Sequence, residues 1–168
     1  MTVALPARRL RTATSADAPL LFRFICALAE YEREPDAVQT TPEVLAQQLE
    51  APQPPFECLL CEEEGVAVGF ALFFPNYSTW LGQPGIHIED LFVVPEARGR
   101  GHGRALLQRV AELAVERGCG RVEWSVLDWN APAIGFYEKL GAVPQSEWTT
   151  FRLTGRWLRA LGAKRSLE

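Results

Sequence analysis

Arg98-Gly99-Arg100-Gly101-His102-Gly103 follows an apolar stretch, Ile86 to Val94, and leads into a helix-patterned one. Strand, glycine loop and helix N-terminus in succession make an anion site. Glycines let the backbone turn and approach a ligand without interference from a Cβ, and the unpaired N–H groups of a first helical turn point outward at the positive end of the helix dipole. A pyrophosphate suits such a site. The spacing excludes two common glycine motifs: a phosphate loop, G-x-x-x-x-G-K-[ST], needs a Lys and a hydroxyl where Gly99 onward reads Gly-Arg-Gly-His-Gly-Arg-Ala-Leu. The dinucleotide fingerprint G-x-G-x-x-G would end on Arg104 or Leu106 instead of glycine.

The pattern R-x-x-G-x-G does fit, as Arg98, Gly101 and Gly103. It resembles the acetyl-coenzyme A pyrophosphate loop of the GNAT superfamily of N-acetyltransferases. Three further segments narrow the resemblance: ALAEYE (27–32), IEDLFV (88–93) and WNAPAIGFYEKLGA (129–142). Together they make the chain from Leu10 to Leu153 similar to the spermidine/spermine (diamine) acetyltransferases and their thialysine-acetylating relatives.

That resemblance implies an α/β fold with a mixed, mostly antiparallel sheet flanked by helices, acetyl-CoA as co-substrate, a small cationic amine as acceptor and a homodimer. It assigns the backbone amides of Leu91, Phe92 and Val93 to the pantetheine arm, with one of them polarising the thioester carbonyl. Arg98 with Gly99, Arg100, Gly101, His102, Gly103 and Arg104 falls at the pyrophosphate, and Asn130, Ala133 and Tyr137 along the coenzyme. Tyr31, Glu32, Trp80, Glu89, Asp90, Glu123, Trp124 and Ser125 resemble a substrate wall, where carboxylates pair with cations and aromatics hold alkyl chains or ammonium groups. The stretch Val143 to Thr150 departs from the animal polyamine enzymes, which leaves the amine open.

Amine acetylation sets two proton problems. An alkylammonium with a pKa near that of lysine, about 10.4, is almost wholly protonated at pH 7, so a base must take a proton. Glu89 is a carboxylate inside the apolar segment Ile-His-Ile-Glu-Asp-Leu-Phe-Val, where burial would raise its pKa toward a useful value, though an edge or surface carboxylate reads equally well from spacing. The resembled family uses the matching glutamate as base. Strand alternation sends Asp90 to the other face, as a structural group or a partner for substrate charge.

The second problem is the departing thiolate, and Tyr137 is the candidate acid. A tyrosine near pKa 10 would protonate a thiolate of pKa about 8.5 uphill by about 2 kcal/mol, so its pKa must fall or the transfer must follow C–S cleavage. An isolated aromatic on a helix reads first as core packing. The role of Tyr137 therefore comes from its match together with Asn130, Pro132 and Phe136. Arg98 and Arg100 have a bland reading as solvated charges, and His102 as an exposed loop residue.

The 168 residues, 48% hydrophobic and 23% charged, suffice for one domain with a real core. The net charge of −4 and the absence of interleaved aromatics oppose an RNA-binding reading of the Arg-Gly run. The longest apolar run, Val66 to Phe74, falls well short of a membrane span, and Met1 to Leu10 lacks a long apolar core after its basic residues, so a soluble cytoplasmic protein is expected. Cys58-Leu59-Leu60-Cys61 has the spacing of half a zinc site, but residues i and i+3 of a strand face opposite sides and no second pair exists. Reduced buried thiols are expected, and no metal.

The elements that must position these residues read β α α β β β α β α β. Arg9 to Ala13 is a short strand; Thr14 and Asp17 form a capping-box-like start to a helix carrying Leu21, Phe24, Ile25 and Leu28 on one face. Thr41 caps a second helix and Pro52, Pro54 and Pro55 end it. Phe56 to Glu62 and Val66 to Phe74 form a hairpin, Asn76 to Gly85 a turn-rich connection, and Ile86 to Val94 a central strand. A helix follows Gly103 and stops at Gly118; Arg121 to Val126 is a strand, Ala131 to Leu140 a helix, and Trp148 to Leu153 a last strand. A short helix on Trp157, Leu158 and Leu161 is expected after Thr154.

Within the enzyme class the rival is another amine acceptor, such as an amino acid, an aminoglycoside or a protein; outside it, the rival is a coenzyme-A-binding sensor without turnover.

Overall fold

The computed structural model describes residues 7–163. The chain divides into two compact units, Met1–Leu127 and Asp128–Glu168. The first holds one sheet of five strands in sequence order: β1 (Arg8–Thr12), β2 (Glu57–Glu63), β3 (Val66–Ser78), β4 (Gln83–Val93) and β5 (Val122–Trp124). All pairings are antiparallel except β4 with β5, which is parallel. The joining helices are α1 (Ala18–Tyr31), α2 (Pro42–Glu50) and α3 (His102–Glu116).

Local chemistry explains these boundaries. Asp17 Oδ2 accepts from the Thr14 N–H at 2.8 Å, closing the expected capping box ahead of α1, and Thr41 Oγ1 accepts from the Val44 N–H at 3.3 Å to start α2. β2 and β3 are joined by Glu64 and Gly65, both left-handed at φ 52° and 81°, the turn whose twist matches that of the flanking strands. At the end of α3, Gly118 is left-handed and the Cys119 N–H reaches back to Ala114 O at 2.8 Å.

Strand alternation gives the sheet two apolar faces. Cys58, Leu60, Phe70, Leu72 and Phe92 lie under α1 and α2 with Leu21, Phe24 and Leu45, and the Phe24 and Phe70 rings stack at 5.7 Å. Leu59, Cys61, Phe73, Ile86 and Ile88 are buried on the opposite side, where α3 contributes Leu106, Leu107, Val110 and Ala114. Cys58 and Cys61 thus face opposite ways, as their spacing requires, and both are free thiols.

One connection departs from expectation. Asn76 to Gly85 is largely strand: Asn76 pairs with Gly85, Tyr77 with Pro84 and Ser78 with Gln83, leaving only residues 79–82 as the turn. The turn-forming residue types there are overruled by the ladder that continues between β3 and β4.

The second unit holds α4 (Ala131–Lys139) and α5 (Gly155–Gly162), the latter on the expected short helix after Thr154. The strand expected at Trp148 to Leu153 is absent: these residues form no strand, and Phe151 is 93% exposed. Alternating apolar residues become a strand only when a neighbour supplies a ladder, which a composition reading cannot see.

Candidate active site

The glycine loop ends at Gly101, the N-cap of α3, left-handed at φ 82°; Gly99 is left-handed at 77°. Both positions favour glycine, and a glycine cap offers no side chain to the first-turn N–H groups. Ala105 is the first residue to bond back, to Gly101 O at 3.0 Å. The amides of His102, Gly103 and Arg104 are therefore presented at the positive helix end with no acidic residue in the first turn, which fits a diphosphate.

The basic side chains of the loop are not equivalent. Arg98 is folded back: its Nε donates to Val93 O at 2.9 Å and its guanidinium lies 4.6 Å from the Tyr31 ring centroid and 5.7 Å from that of Phe92. Arg100 donates to the Glu63 carboxylate and to Glu96 O. Arg104 is exposed in the first turn of α3. Arg98 and Arg100 are thus exposed, as the bland reading has them, but engaged with partners, whereas the reading of His102 as an exposed loop residue is corrected. His102 is only 3% exposed, because it is the first residue of α3 and its ring enters the space between that helix and β2.

β5 pairs with β4 only from Ile86 to Ile88, so β4 continues alone on that side from Glu89 to Val93. The Val94 N–H bonds Val68 O at 2.9 Å, which fixes the ladder phase: Phe92 belongs to a hydrogen-bonded pair with Phe70, while Leu91 and Val93 point their backbone groups away from β3. Of the three amides expected to meet the pantetheine arm, two face the open edge. The Phe92 N–H is turned toward β3 instead, and the Phe92 ring packs in the core.

Glu89 is the extra residue of a β-bulge: Ile88 pairs with Phe73 and Asp90 with Leu72, leaving Glu89 without a partner. The bulge decides one open reading, in favour of a surface carboxylate at Glu89, and overturns one expectation, at Asp90. Glu89 is not buried, its side chain being 59% exposed with Oε2 3.8 Å from His87 Nε2. Asp90 is not sent to the other face from its neighbours: it lies on the same face as His87, since Leu72 and Phe74, their partners, are two apart on β3. Burial therefore falls on Asp90. Desolvation first, then the neighbouring charges of Glu89 and Glu32, push its pKa up to about 7. Glu32, the C-cap of α1, is also raised by burial. Three carboxylates, Glu32, Glu89 and Asp90, thus act on one another where β5 no longer covers β4, Glu32 next in sequence to the Tyr31 that Arg98 covers.

The rest of the expected substrate wall is dispersed. Glu123 Oε2 accepts from Asn76 Nδ2 at 2.9 Å and lies 3.0 Å from Arg121 Nε, so its charge is already matched. Trp124, on β5, pairs with Ile88. Ser125 is exposed past the end of β5, which stops at Trp124 and not at Val126. Trp80, 86% exposed, sits in the β3–β4 turn, at the far end of β4 from Glu89. The six-residue rise of the strand from Gln83 to Glu89 is roughly 20 Å. A groove of about 300 Å³ under the C-terminal half of α3, lined by Leu10, Phe73, Arg109, Leu113 and Arg117, holds no spare charge. Arg109 pairs with Glu112 and Glu116, and Arg117 with Glu57.

In the second unit, Asn130 is the N-cap of α4: its Oδ1 accepts from the Ala133 N–H at 3.3 Å, and Pro132 occupies the first turn. This accounts physically for the Asn-Ala-Pro run. Ala133 is half-buried in the same turn, and Tyr137, one turn further on and also half-buried, has its ring 5.2 Å from that of Phe136.

The acetyltransferase (GNAT) family model matches residues 23–142, which spans both units, and the chain belongs to that family. It is an acetyl-transfer enzyme by descent. It is 37% identical to a thialysine N-epsilon-acetyltransferase of Sus scrofa over 166 residues, covering 92% of this chain and 97% of that protein. A Caenorhabditis elegans protein of the same description is 40% identical over 148 residues, 86% of this chain and 90% of its own. An L-ornithine N5-acetyltransferase of Arabidopsis thaliana is 51% identical over 96 residues, 57% of this chain and 42% of its own. Among solved structures, an integron cassette protein from the mobile metagenome of V. cholerae superposes with a TM-score of 0.77 at 24% identity, covering 94% of this chain and 98% of its own, a likeness of fold.

Proposed function

We propose that the chain, acting as one domain from end to end, moves an acetyl group from acetyl-CoA to a primary amine of a small dication or amino acid of the thialysine, ornithine or polyamine type. The observation that carries the substrate class is the mutual repulsion of Glu32, Glu89 and Asp90 where β5 no longer covers β4, which an ammonium relieves. Relatives described as thialysine and ornithine acetyltransferases support it.

The amides of Leu91 and Val93 hold the pantetheine arm as a short extra strand, and those of residues 102–104 hold the pyrophosphate. The ammonium loses its proton to the Glu89–Asp90 pair, with Asp90 the member whose proton affinity suits neutral pH and Glu89 the member that passes the proton to solvent. The amine nitrogen then forms a bond to the thioester carbonyl carbon, the C–S bond breaks, the thiolate sulfur takes its proton from Tyr137, and the second proton shed by the nitrogen as it becomes an amide restores the tyrosine by way of solvent. No cysteine carries the acyl group. The free, buried thiols of Cys58 and Cys61 support a reducing cytoplasmic setting. Among the described residues no helix is long and apolar enough to cross a membrane. The exposed apolar face of α5, with Trp157, Leu158 and Leu161, supports a homodimer.

The test is a screen of thialysine, ornithine, lysine, polyamines and aminoglycosides, read as free thiol released. A preference for the small dibasic acceptors supports the reading. A flat response in a protein that binds acetyl-CoA favours the non-catalytic sensor.

A further inference from the structure

Glu63 is the last residue of β2, outside the glycine loop, the β4 edge and α4. Alternation puts it on the same face as Cys61, two residues earlier, and both side chains meet the ring of His102 at the first position of α3. Glu63 Oε1 accepts from His102 Nε2 at 3.2 Å, and because a carboxylate only accepts, that nitrogen carries the hydrogen. His102 Nδ1 is then left as acceptor for the Cys61 thiol, 3.5 Å away. The second oxygen of Glu63 takes Arg100 Nη1. Arg100 in turn donates to Glu96 O, and its own carbonyl accepts from Arg8 Nη2 at 3.1 Å. One carboxylate, whose side chain is only 10% exposed, therefore ties both sides of the left-handed Gly101 cap to the C-terminal end of β2.

We infer that Glu63 is a positioning residue for acetyl-CoA: by holding Arg100 and His102 on either side of Gly101, it fixes the first-turn amides of α3 in the direction the pyrophosphate needs. It touches neither the amine nor the reacting carbon. Glycine has more accessible backbone states than any other residue, so a loop with left-handed Gly99 and Gly101 needs an outside tether to present the amides that follow it in one geometry. Glu63 also occupies the Arg100 guanidinium, so the pyrophosphate is held by oriented amides and not by that side chain. The inference rests on the assignment of this loop to acetyl-CoA.

Steady-state kinetics of Glu63→Ala and Glu63→Gln test it. Glu63→Ala should raise KM for acetyl-CoA at least tenfold while leaving kcat at saturating acetyl-CoA, and KM for the amine, within about twofold. Glu63→Gln, which keeps one acceptor for His102, should fall between. Arg100→Ala, at an exposed site and so tolerant of folding, should raise KM in the same direction. Added to Glu63→Ala it should do less than the product of the two single effects, because the pair acts as one tether. An unchanged KM in Glu63→Ala overturns the inference, as does a lowered KM, which would mean that Arg100 had been withheld from the phosphates. So does a fall in kcat with KM unchanged. Wild-type protein that binds no acetyl-CoA would instead overturn the loop assignment itself.

Discussion

Asp90 shares a face of the sheet with His87, three residues back on the same strand, because Glu89 between them is looped out as a bulge. Without that extra residue the buried position on this face would go to Glu89, and Asp90 would lie under α3. The bulge therefore decides which carboxylate is desolvated and which is wet.

Asp90→Asn should abolish most turnover and alter the pH dependence of stability. A group held at about 7 in the fold and near 3.8 when unfolded keeps a proton that the unfolded chain loses between those values. Stability from this group is thus highest at acid pH, falls as pH rises from about 4 to 7, and is flat above. The asparagine variant lacks the slope and should be more stable at pH 8 by about 1–3 kcal/mol, visible as a raised Tm. A variant less stable than wild type at pH 8 would contradict the desolvation.

Log kcat/KM against pH should rise to a plateau with an inflection near 7 in wild type. Glu89→Gln should lower the plateau by one to two orders of magnitude and keep the inflection, whereas Asp90→Asn should remove it. Loss of the inflection in Glu89→Gln would return the titrating role to Glu89.

Tyr137→Phe should reduce kcat by about a hundredfold and leave KM for acetyl-CoA within threefold. A tyrosine that only packs would leave turnover intact and lower Tm.

Gly101→Ala places a Cβ at φ 82°, where an L-residue costs about 1–2 kcal/mol. The α3 cap should relax, and KM for acetyl-CoA should rise about tenfold with little change in kcat. Titration of wild type and variant with acetyl-CoA, followed by intrinsic tryptophan fluorescence, checks the binding half of this.

At the other edge, Arg11 bridges Asp17 and Glu62 at 2.8 and 2.6 Å. Its hydrogen bonds, with those of Thr14, hold the Asp17 carboxyl down at about 2. A lowered pKa contributes stability that is complete above about 4 and is lost as pH falls through 2. Asp17→Asn should therefore cost about 1–2 kcal/mol at pH 7 and nearly nothing at pH 1.5, as measured by urea unfolding.

Much of this was legible because the signals are local. The Thr14–Asp17 box, the Thr41 cap, the Gly118 stop and the strand–glycine–helix succession each depend on residues within a few positions of one another, and each is where its sequence puts it. The phases of the amides at Leu91 and Val93, the looped-out Glu89 and the burial of His102 depend on which strand lies alongside and on the helix above. Periodicity read along one strand cannot register a bulge, since the pattern IHIEDLFV alternates plausibly without it. Glu63 carries no local signal: it is one of three consecutive acidic residues, 62–64, ahead of a turn, and its importance appears only when β2 and α3 are side by side. The missing strand at Trp148 to Leu153 fails for the same reason, a ladder being a property of two segments.

The most direct measurement is the release of free thiol from acetyl-CoA by the purified protein with thialysine or ornithine as acceptor, with the acetylated amine identified by mass. Thiol and acetylated product should appear in equal amounts, both dependent on the amine and both reduced to a small residual rate by Asp90→Asn. Thiol release that ignores the amine, or saturable acetyl-CoA binding with no product from any amine, would contradict the proposed acetyl transfer.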